Sequence, residues 1–411
     1  MKKIVIKGGP PICGDLKVSG SKNAVLPLIF ASILTDGVSV FNNVPDIGDV
    51  RVAIELISEL GAETTFADNR LTINTESLKY TAPSPHLISR IRASTYLMGA
   101  SLARFGKAEI GEFGGCNFSH RPIDLHIKSA IALSSRNDGN HLVTNGLKGA
   151  KIYLEKPSVG ATVNTLIMAA MADGETEIHG YAKEPHVLAL ADYLNKTGLY
   201  IKLTDEKITV RKSQIRPIEY DVIGDMVEAG SYIAAAALTN GDLTVSGFDT
   251  ADLKSFFDIL SLLGYEINTE EKYAHICSKK RNARGSIAVT AAPFPSFPTD
   301  LQPILSVLLA KNSGGKIIDT VWQARFGYLA SLAPFGIRFE RIENGAEIRE
   351  SAIKAGKSTA TDLRGGMACV LAALSAKGTS EILSADLILR GYDRLEEKLS
   401  SVGVDVKILD M

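Results

Sequence analysis

The chain has 411 residues, which is enough for about two or three domains. Hydrophobic residues make up 45% of it and charged residues 22%, the balance of an ordinary soluble globular protein. The 45 Lys and Arg residues nearly cancel the 46 Asp and Glu residues. This near-zero net charge argues against a broad electrostatic surface for nucleic acid or for an anionic membrane.

No apolar run approaches the roughly 20 residues of a transmembrane helix. Residues 1–7 alternate as a short strand and lack the apolar core of a secretory signal, so we expect a cytoplasmic protein. The cysteines Cys13, Cys116, Cys277 and Cys369 are widely separated, which excludes a CxxC metal or redox motif and makes disulfides unexpected. We expect three of them to be small core residues and Cys116 alone to be accessible.

Two markers recur along the chain and divide it into six similar segments. The first is an apolar helical stretch that ends at a glycine before a short β-branched strand. Its glycines are Gly37, Gly106, Gly174, Gly241, Gly315 and Gly378. A second glycine, such as Gly61 after Gly37, follows at a similar distance in every copy except the second, where residues 130–135 take its place.

The first copy shows the pattern of elements within one repeat. Residues 16–18 alternate as a strand, and residues 26–34 place apolar side chains at helical spacing. A second strand begins after Gly37, and Asp49 is a candidate N-cap for a second helix. Two further strands are expected near residues 64–66 and 71–73. Each copy is therefore predicted to be a βαβαββ unit.

A unit of about 65 residues buries too little surface to be stable alone, so the six units must pack together. The first helix of a unit is apolar on nearly every side, as in residues 233–238, which indicates a buried centre rather than a linear solenoid. We therefore expect two α/β domains of three units each, spanning residues 22–222 and residues 1–21 plus 223–411. A cleft between such domains is a common ligand site.

The segment from Gly114 to Asp124 is a candidate catalytic loop. Cys116 follows two glycines, and the neighbouring His120 and Arg121 would favour its thiolate form. A surface loop that carries an incidental cysteine is the alternative.

Four charged residues occupy equivalent positions, at the start of the first helix in their repeats: Lys22, Arg92, Asp300 and Arg364. The free N–H groups and the dipole of a helix N-terminus already favour anions, so a cation there points to a bound anion. Arginine binds carboxylate and phosphate bidentately, and Arg390 adds to the set. The pattern indicates a polyanionic ligand. Solvated cations, and a helix N-cap in the case of Asp300, are the alternatives.

Several binding motifs are absent from the sequence, namely GxGxxG and any His, Asp or Glu cluster at metal-ligand spacing. Residues 351–358 imitate a P-loop, but they begin with Ser351 in place of glycine and do not follow a buried strand. We expect neither a metal nor a cofactor.

At eight motifs the sequence resembles the enolpyruvyl transferases, and the resemblance extends over nearly the whole chain. These motifs are Ser21–Ala24, Arg92–Ser94, Gly114–Cys116, Arg121–His126, Ser158–Thr162, Phe297–Asp300, Thr361–Arg364 and Arg390–Arg394. The resemblance implies a fold of two inside-out α/β barrel domains, each of three βαβαββ repeats, with an interdomain cleft. It also implies transfer of the enolpyruvyl group of phosphoenolpyruvate to the 3-hydroxyl of UDP-N-acetylglucosamine, the first committed step of peptidoglycan synthesis and cell wall biogenesis.

The resemblance assigns roles to individual residues in an addition–elimination reaction through a tetrahedral phospho-ketal. Cys116 would be the general acid, able to capture phosphoenolpyruvate covalently, and the target of fosfomycin. Asp300 would be the base or hydroxyl partner. Lys22, Arg121 and Arg390 would hold phosphoenolpyruvate.

The remaining implied substrate contacts surround this set. They are Asn23, Arg92, Pro122, Asp124, Leu125, Lys156, Ser158, Val159, Gly160, Val321 and Arg364. Asn23 would meet the sugar, and the segments around Arg121 and Ser158 would hold the uridine diphosphate. The resemblance implies no metal, and we expect a monomer or a weak homo-oligomer.

The chain departs from the family pattern mainly on the acceptor side. The departures are Ser119, His120, Met226, Ala324, Gly365 and Leu389. Two alternatives therefore stay open, an enolpyruvyl transferase for a different nucleotide or sugar acceptor and a weakly active regulatory paralog. Shikimate phosphate is disfavoured as the acceptor because the chain lacks the Gly-Asn-Ala-Gly-Thr run of the transferases that use it.

Overall fold

The computed structural model describes residues 1–115, 121–277 and 285–411, and these residues form two compact units. Unit I comprises residues 20–115 and 121–223, and unit II comprises residues 1–19, 224–277 and 285–411. Within the described ranges, no helix is long and apolar enough to cross a membrane.

Unit I contains three repeats. Its helices are Lys22–Ala31, Gly48–Glu59, Pro85–Ile88, Thr95–Phe105, Asp124–Ala132, Val159–Ala169 and Pro185–Lys196, with 3-10 turns at Ser32–Leu34 and Arg92–Ser94. Its strands are Val38–Asn42, Glu63–Ala67, Arg70–Asn74, Lys107–Glu109, Arg136–Asp138, His141–Val143, Lys151–Tyr153, Glu175–His179, Tyr200–Leu203, Lys207–Arg211 and Glu219–Asp221.

Unit II contains the other three repeats. Its helices are Met226–Thr239, Lys254–Leu262, Gln302–Lys311, Leu329–Leu332, Leu363–Ser375, Asp386–Leu389 and Leu395–Ser401, with 3-10 turns at Thr250–Leu253, Thr299–Leu301 and Ala333–Phe335. Its strands are Lys2–Gly8, Cys13–Lys17, Asp242–Ser246, Glu266–Glu270, Tyr273–Cys277, Ile287–Ala291, Gly315–Asp319, Arg338–Ile342, Gly345–Arg349, Lys357–Thr359, Gly378–Leu383 and Asp405–Asp410.

The four-stranded sheets share one strand order and one set of strand directions, which the fifth copy illustrates. Three of these sheets include a strand from another part of the chain. The strand order of the fifth copy is Ile287–Ala291, Gly315–Asp319, Gly345–Arg349 and Arg338–Ile342. The first two strands are parallel and the other neighbours are antiparallel. The parallel pair requires a crossover, which the first helix supplies, and the last two strands form a hairpin. Among the described residues, only the sheet of the second copy has three strands instead of four.

The prediction that residues 16–18 supply the first strand of the first repeat was wrong. Strand Cys13–Lys17 instead runs parallel to Asp242–Ser246 in the fourth repeat. Glu219–Asp221 occupies the equivalent place beside Val38–Asn42. An alternating pattern identifies a strand but not its partner, because each repeat presents a similar second strand along which a first strand can pair.

The first helices of the repeats lie at the centre of their units. In unit II, Met226–Thr239, Gln302–Lys311 and Leu363–Ser375 pack against one another. Every residue of the first of these helices after Met226 is buried. The strands around them alternate between buried and more exposed residues, as strands on the outside of a core do. This arrangement confirms the predicted inside-out α/β barrels and excludes a linear solenoid.

The missing glycine of the second repeat is replaced by a residue in the same backbone conformation. Ser134 has φ +70°, in the left-handed region, where Gly61 of the first copy has φ +95°. The turn after the second helix therefore has the same hand in both copies, although serine adopts it less readily than glycine.

Two smaller predictions were also wrong. Asp49 does not cap its helix: Ile47 is the N-cap residue, and the carboxylate of Asp49 lies 3.3 Å from Nζ of Lys22. Of the cysteines expected in the core, Cys369 is buried, but Cys13 is exposed on the outer face of its strand. Cys277 is partly exposed.

The central packing predicts that no side of helix Met226–Thr239 tolerates a larger side chain. Residues 234, 235 and 236 point in three directions about 100° apart, and all three are fully buried alanines. Each change to leucine should lower the free energy of unfolding by about 1–3 kcal/mol through overpacking, as measured by denaturant titration. The exposed Ala251→Leu is the control, and one central position as tolerant as Ala251 would contradict the packing.

Candidate active site

Asp300 lies between two arginines in unit II. It belongs to the 3-10 turn Thr299–Leu301, just before helix Gln302–Lys311, as the repeat alignment predicts. Its Oδ1 accepts a hydrogen bond from Nη1 of Arg325 at 2.7 Å, and its Oδ2 accepts one from Nε of Arg364 at 3.2 Å. The side chain therefore bridges two guanidinium groups and does not cap the helix.

Both arginines are removed from solvent, whereas the carboxylate reaches it. The side chains of Arg325 and Arg364 are 5% and 1% exposed, and that of Asp300 is 28% exposed. Burial acts to lower the pKa of each guanidinium, but nearby negative groups, Asp300 among them, outweigh it and raise both pKa values. Both guanidinium groups therefore stay cationic beside the Asp300 carboxylate.

Arg364 presents further donors. Its guanidinium carbon lies 5.4 Å from the ring centre of Tyr392. Its Nη1 and Nη2 are buried and make no hydrogen bond of normal geometry among the described residues. Buried polar groups in native proteins usually have partners. The hydroxyl of Tyr392 is a polar neighbour of this guanidinium group and contributes to the raised pKa of Arg364.

The segment that contains Arg390 packs against the start of the helix that carries Arg364 in unit II. Arg390 is half-buried at the end of helix Asp386–Leu389. The next residue, Gly391, packs so closely on Leu363 that a Cβ atom on Gly391 would lie 2.6 Å from Cδ2 of Leu363. Gly391 thus lets the chain beside Arg390 approach the start of the helix that carries Arg364.

Val321 follows the second strand of the fifth repeat and is held by Asp319. The carboxylate Oδ1 of Asp319 accepts hydrogen bonds from the backbone N–H groups of Val321 at 2.9 Å and Trp322 at 2.8 Å. The turn continues to Arg325, so Val321 belongs to the same loop as one of the two arginines on Asp300.

Lys22 is the first residue of helix Lys22–Ala31 in unit I. The distance of 3.3 Å from its Nζ to the Asp49 carboxylate forms an ion pair, and both side chains are largely buried. A lysine at a helix N-terminus is repelled by the helix dipole, and the Asp49 carboxylate offsets that repulsion. Asn23 follows it in the first turn and is half-buried.

The two glycines before Cys116 lie in close contact with neighbouring segments, where a larger side chain would not fit. A Cβ atom at Gly114 would clash with the carbonyl oxygen of Ser89, and one at Gly115 would lie 2.9 Å from Cβ of Arg92. Arg92 Nη2 donates to the carbonyl oxygen of Arg121 at 2.5 Å, and burial lowers the pKa of Arg92. Arg92 therefore contacts both ends of the candidate loop. Cys116 itself, with Ser119 and His120, lies outside the described residues.

The predicted nucleotide residues lie at two adjoining helix N-termini in unit I. Asp124 begins helix Asp124–Ala132, and Ser158 caps helix Val159–Ala169 by accepting a hydrogen bond from Ala161 N at 3.3 Å. The two helix ends are in close contact, since a Cβ atom at Gly160 in one of them would lie only 2.9 Å from Cε1 of His126 in the other. Paired helix N-termini favour a bound phosphate. Of the other predicted residues here, Pro122 and Lys156 are exposed and Leu125 is buried.

His126 is a residue that sequence reasoning missed. It is 4% exposed, and its Nδ1 lies 2.7 Å from the amide nitrogen of Asn164. That amide also donates to the carbonyl oxygen of Thr95, so Nδ1 is the acceptor and the ring proton is on Nε2. Burial, together with the charge of Arg92, lowers the pKa of His126 to about 4. The sequence signal that could have indicated its burial is a histidine placed among the apolar residues of a helix.

Arg325 was missed as well, although the segment that contains it was noted as a departure from the family. Nothing in the spacing between Asp300 and Arg325 predicts their contact, which depends on how the loop after strand Gly315–Asp319 folds. Within the part of the chain that the structure describes, no group of three or more His, Cys, Asp or Glu side chains could hold a metal ion.

The family model of EPSP synthase (3-phosphoshikimate 1-carboxyvinyltransferase) matches residues 6–399. The chain therefore belongs to the EPSP synthase family of enolpyruvyl transferases, which confirms the resemblance. Its relatives include the UDP-N-acetylglucosamine 1-carboxyvinyltransferase of Halothermothrix orenii, 38% identical over 99% of each chain. UDP-N-acetylglucosamine 1-carboxyvinyltransferase 2 of Streptococcus mutans is also 38% identical, over 100% of each chain.

Two solved structures are similar in fold. The enolpyruvyl transferase NikO from Streptomyces tendae has a TM-score of 0.88 at 22% identity, covering 99% of this chain and 98% of that one. EPSP synthase from Acinetobacter baumannii has a TM-score of 0.78 at 18% identity, covering 100% of both. At these sequence identities, the similarity to the two solved structures establishes a shared fold and nothing further.

The buried His126 predicts a pH dependence of stability. Its folded pKa of about 4 lies below the ordinary value of 6.5, so the unfolded chain binds more protons between these pH values. The free energy of unfolding should therefore fall by up to roughly 3 kcal/mol as the pH drops from 6.5 to 4. Urea titrations across this range measure the effect.

Two variants isolate the contribution of His126. His126→Gln should flatten the slope of stability against pH in this window, since the residue no longer titrates. His86→Gln, at an exposed position, should leave the slope unchanged. Equal slopes in wild type and His126→Gln would contradict the buried, neutral imidazole.

Proposed function

We propose that the chain transfers the enolpyruvyl group of phosphoenolpyruvate to the 3-hydroxyl of UDP-N-acetylglucosamine and releases phosphate, the first committed step of peptidoglycan synthesis. The observation that carries the proposal is the 37–38% identity, over essentially full length, to relatives named for this reaction. The proposal includes a cytoplasmic location, because both substrates are made inside the cell.

In the proposed reaction the sugar 3-hydroxyl oxygen adds to C2 of phosphoenolpyruvate while C3 takes up a proton. This gives a tetrahedral phospho-ketal. Loss of phosphate from C2 and of a proton from C3 then restores the vinyl group on the sugar. By resemblance, Cys116 delivers the proton to C3 and Asp300 accepts the proton of the hydroxyl. The two arginines on Asp300 support this role, since they fix the direction of both carboxylate oxygens.

Phosphoenolpyruvate brings a carboxylate and a phosphate, and each needs cationic partners. We assign these to Lys22, Arg121 and Arg390, with Arg92 and Arg364 around them. The guanidinium group of Arg364, which is buried and stays cationic, supports its assignment.

The UDP-sugar is assigned to the remaining predicted residues. They are Asn23, Arg121, Pro122, Asp124, Leu125, Lys156, Ser158, Val159, Gly160, Asp300 and Val321. The two adjoining helix N-termini near Asp124 and Ser158 support a diphosphate there.

A different acceptor is the second candidate, and two departures favour it. Met226 and Leu389 are apolar side chains packed on the core of unit II, where the family pattern has a basic and an acidic residue. Gly365 has a packing reason instead, because a Cβ atom there would clash with the side chain of Tyr328.

Phosphate release from phosphoenolpyruvate, measured across a panel of acceptors, tests the proposal. The panel contains UDP-N-acetylglucosamine, UDP-N-acetylgalactosamine, UDP-glucose and shikimate 3-phosphate. We expect turnover with the first at the highest kcat/KM, and mass spectrometry should find the enolpyruvyl ether. Cys116→Ser and Asp300→Asn should each lower kcat by roughly 100-fold or more, because each loses a proton-transfer group. Cys13→Ser, at an exposed cysteine, is the control.

Each other outcome contradicts the proposal in a distinct way. Turnover with another acceptor but not with UDP-N-acetylglucosamine would establish the second candidate. Binding of UDP-N-acetylglucosamine with no turnover of any acceptor would indicate the regulatory paralog.

A further inference from the structure

Asp319 has a fully buried carboxylate to which nothing above assigns a part in the reaction. It ends strand Gly315–Asp319 and makes three hydrogen bonds. Oδ1 accepts from the backbone N–H groups of Val321 and Trp322, and Oδ2 accepts from the hydroxyl of Thr299 at 2.6 Å. A buried carboxylate is costly unless it is satisfied in this way.

Thr299 connects this carboxylate to Asp300. The carbonyl oxygen and Oγ1 of Thr299 accept hydrogen bonds from Nη1 of Arg325 at 3.2 and 3.3 Å. The same nitrogen donates to Oδ1 of Asp300. Because the Thr299 hydroxyl donates its proton to Asp319, the lone pairs of its oxygen remain free for Arg325.

The other oxygen of Asp319 fixes the loop that carries Arg325. It holds Val321 and Trp322 at the start of the loop, and the Arg325 N–H donates to the carbonyl oxygen of Trp322 at 2.9 Å. One carboxylate therefore sets the position of both partners, the turn that bears Asp300 and the loop that bears Arg325.

A comparison within unit II separates this arrangement from an ordinary turn cap. Asp249 occupies a similar place after the second strand of the fourth repeat, and its Oδ1 accepts from Ala251 N at 3.0 Å. Its side chain is 43% exposed, and its Oδ2 pairs with Lys272 at 3.2 Å. A cap of this kind needs no burial, so the burial of Asp319 against Thr299 calls for a further explanation.

We propose that Asp319 is a positioning residue for the acceptor step. Through Thr299 and Arg325 it fixes the direction of the Asp300 carboxylate, and through the backbone it holds Val321. The expected effect on kcat rests on the proposed function. The expected effect on the position of the loop does not depend on which acceptor the enzyme uses.

The kinetic test uses the isosteric Thr299→Val, which removes only the hydroxyl, and Asp319→Asn. A misplacement of about 1 Å lowers rates by up to roughly 100-fold. We therefore expect kcat to fall about 10- to 100-fold, with the KM for phosphoenolpyruvate within about twofold of wild type. Thr299→Ser, which keeps the hydroxyl, should restore kcat, and Asp249→Asn is the matched control at the other turn.

A second readout does not depend on activity. Trp322 is the only tryptophan in the sequence, and it lies on the loop that Asp319 holds. Quenching of its fluorescence by acrylamide should increase in Thr299→Val and Asp319→Asn, because the loop loosens. It should match wild type in Thr299→Ser and Asp249→Asn.

The two readouts distinguish the ways in which the account could fail. Wild type without turnover of UDP-N-acetylglucosamine would contradict the proposed function, while the quenching series would still decide the role of Asp319. Unchanged quenching and unchanged kcat in Thr299→Val would overturn the positioning role. A loss of stability in Thr299→Val with kcat retained would show a purely structural role and would overturn it as well.

Discussion

The carboxylate of Asp300, held between the buried guanidinium groups of Arg325 and Arg364, is the interaction on which the rest of the site depends. Two buried cations repel each other and have lost their hydration, and the Asp300 carboxylate between them offsets part of this cost. The same constraint fixes the carboxylate in one orientation.

The repeated architecture brings these residues together. Asp300 lies in the turn just before the first helix of the fifth repeat, and Arg364 lies in the first turn of the first helix of the sixth. These two helices pack side by side at the centre of unit II. Positions that are equivalent in sequence therefore become neighbours in space. Arg325 comes from a loop, and its place depends on the buried Asp319 at the end of a strand. The repeats therefore place Asp300 and Arg364, whereas a single irregular loop places Arg325.

The sequence predicted the features that depend on local pattern. The repeats, the buried first helices and the charged residues at their N-termini all follow from residue spacing, and Lys22, Arg92, Asp300 and Arg364 lie where the alignment of repeats placed them. Features that depend on contacts between distant residues could not be predicted. The sheet partner of strand Cys13–Lys17 is one case, because similar repeats offer alternative pairing sites. The contacts of Arg325 and of His126 are others, because loop conformation and burial decide them.

The coupling between Asp300 and Arg325 in a double-mutant cycle tests the central claim most directly. Unfolding free energies of wild type, Asp300→Asn, Arg325→Met and the double variant give the interaction energy of the pair. We predict a coupling of about 1–3 kcal/mol, typical of residues that share a buried ionic network. The exposed pair Asp46–Arg51 should give less than about 1 kcal/mol in the same cycle. A coupling for Asp300 and Arg325 no larger than that of the exposed pair would contradict the account.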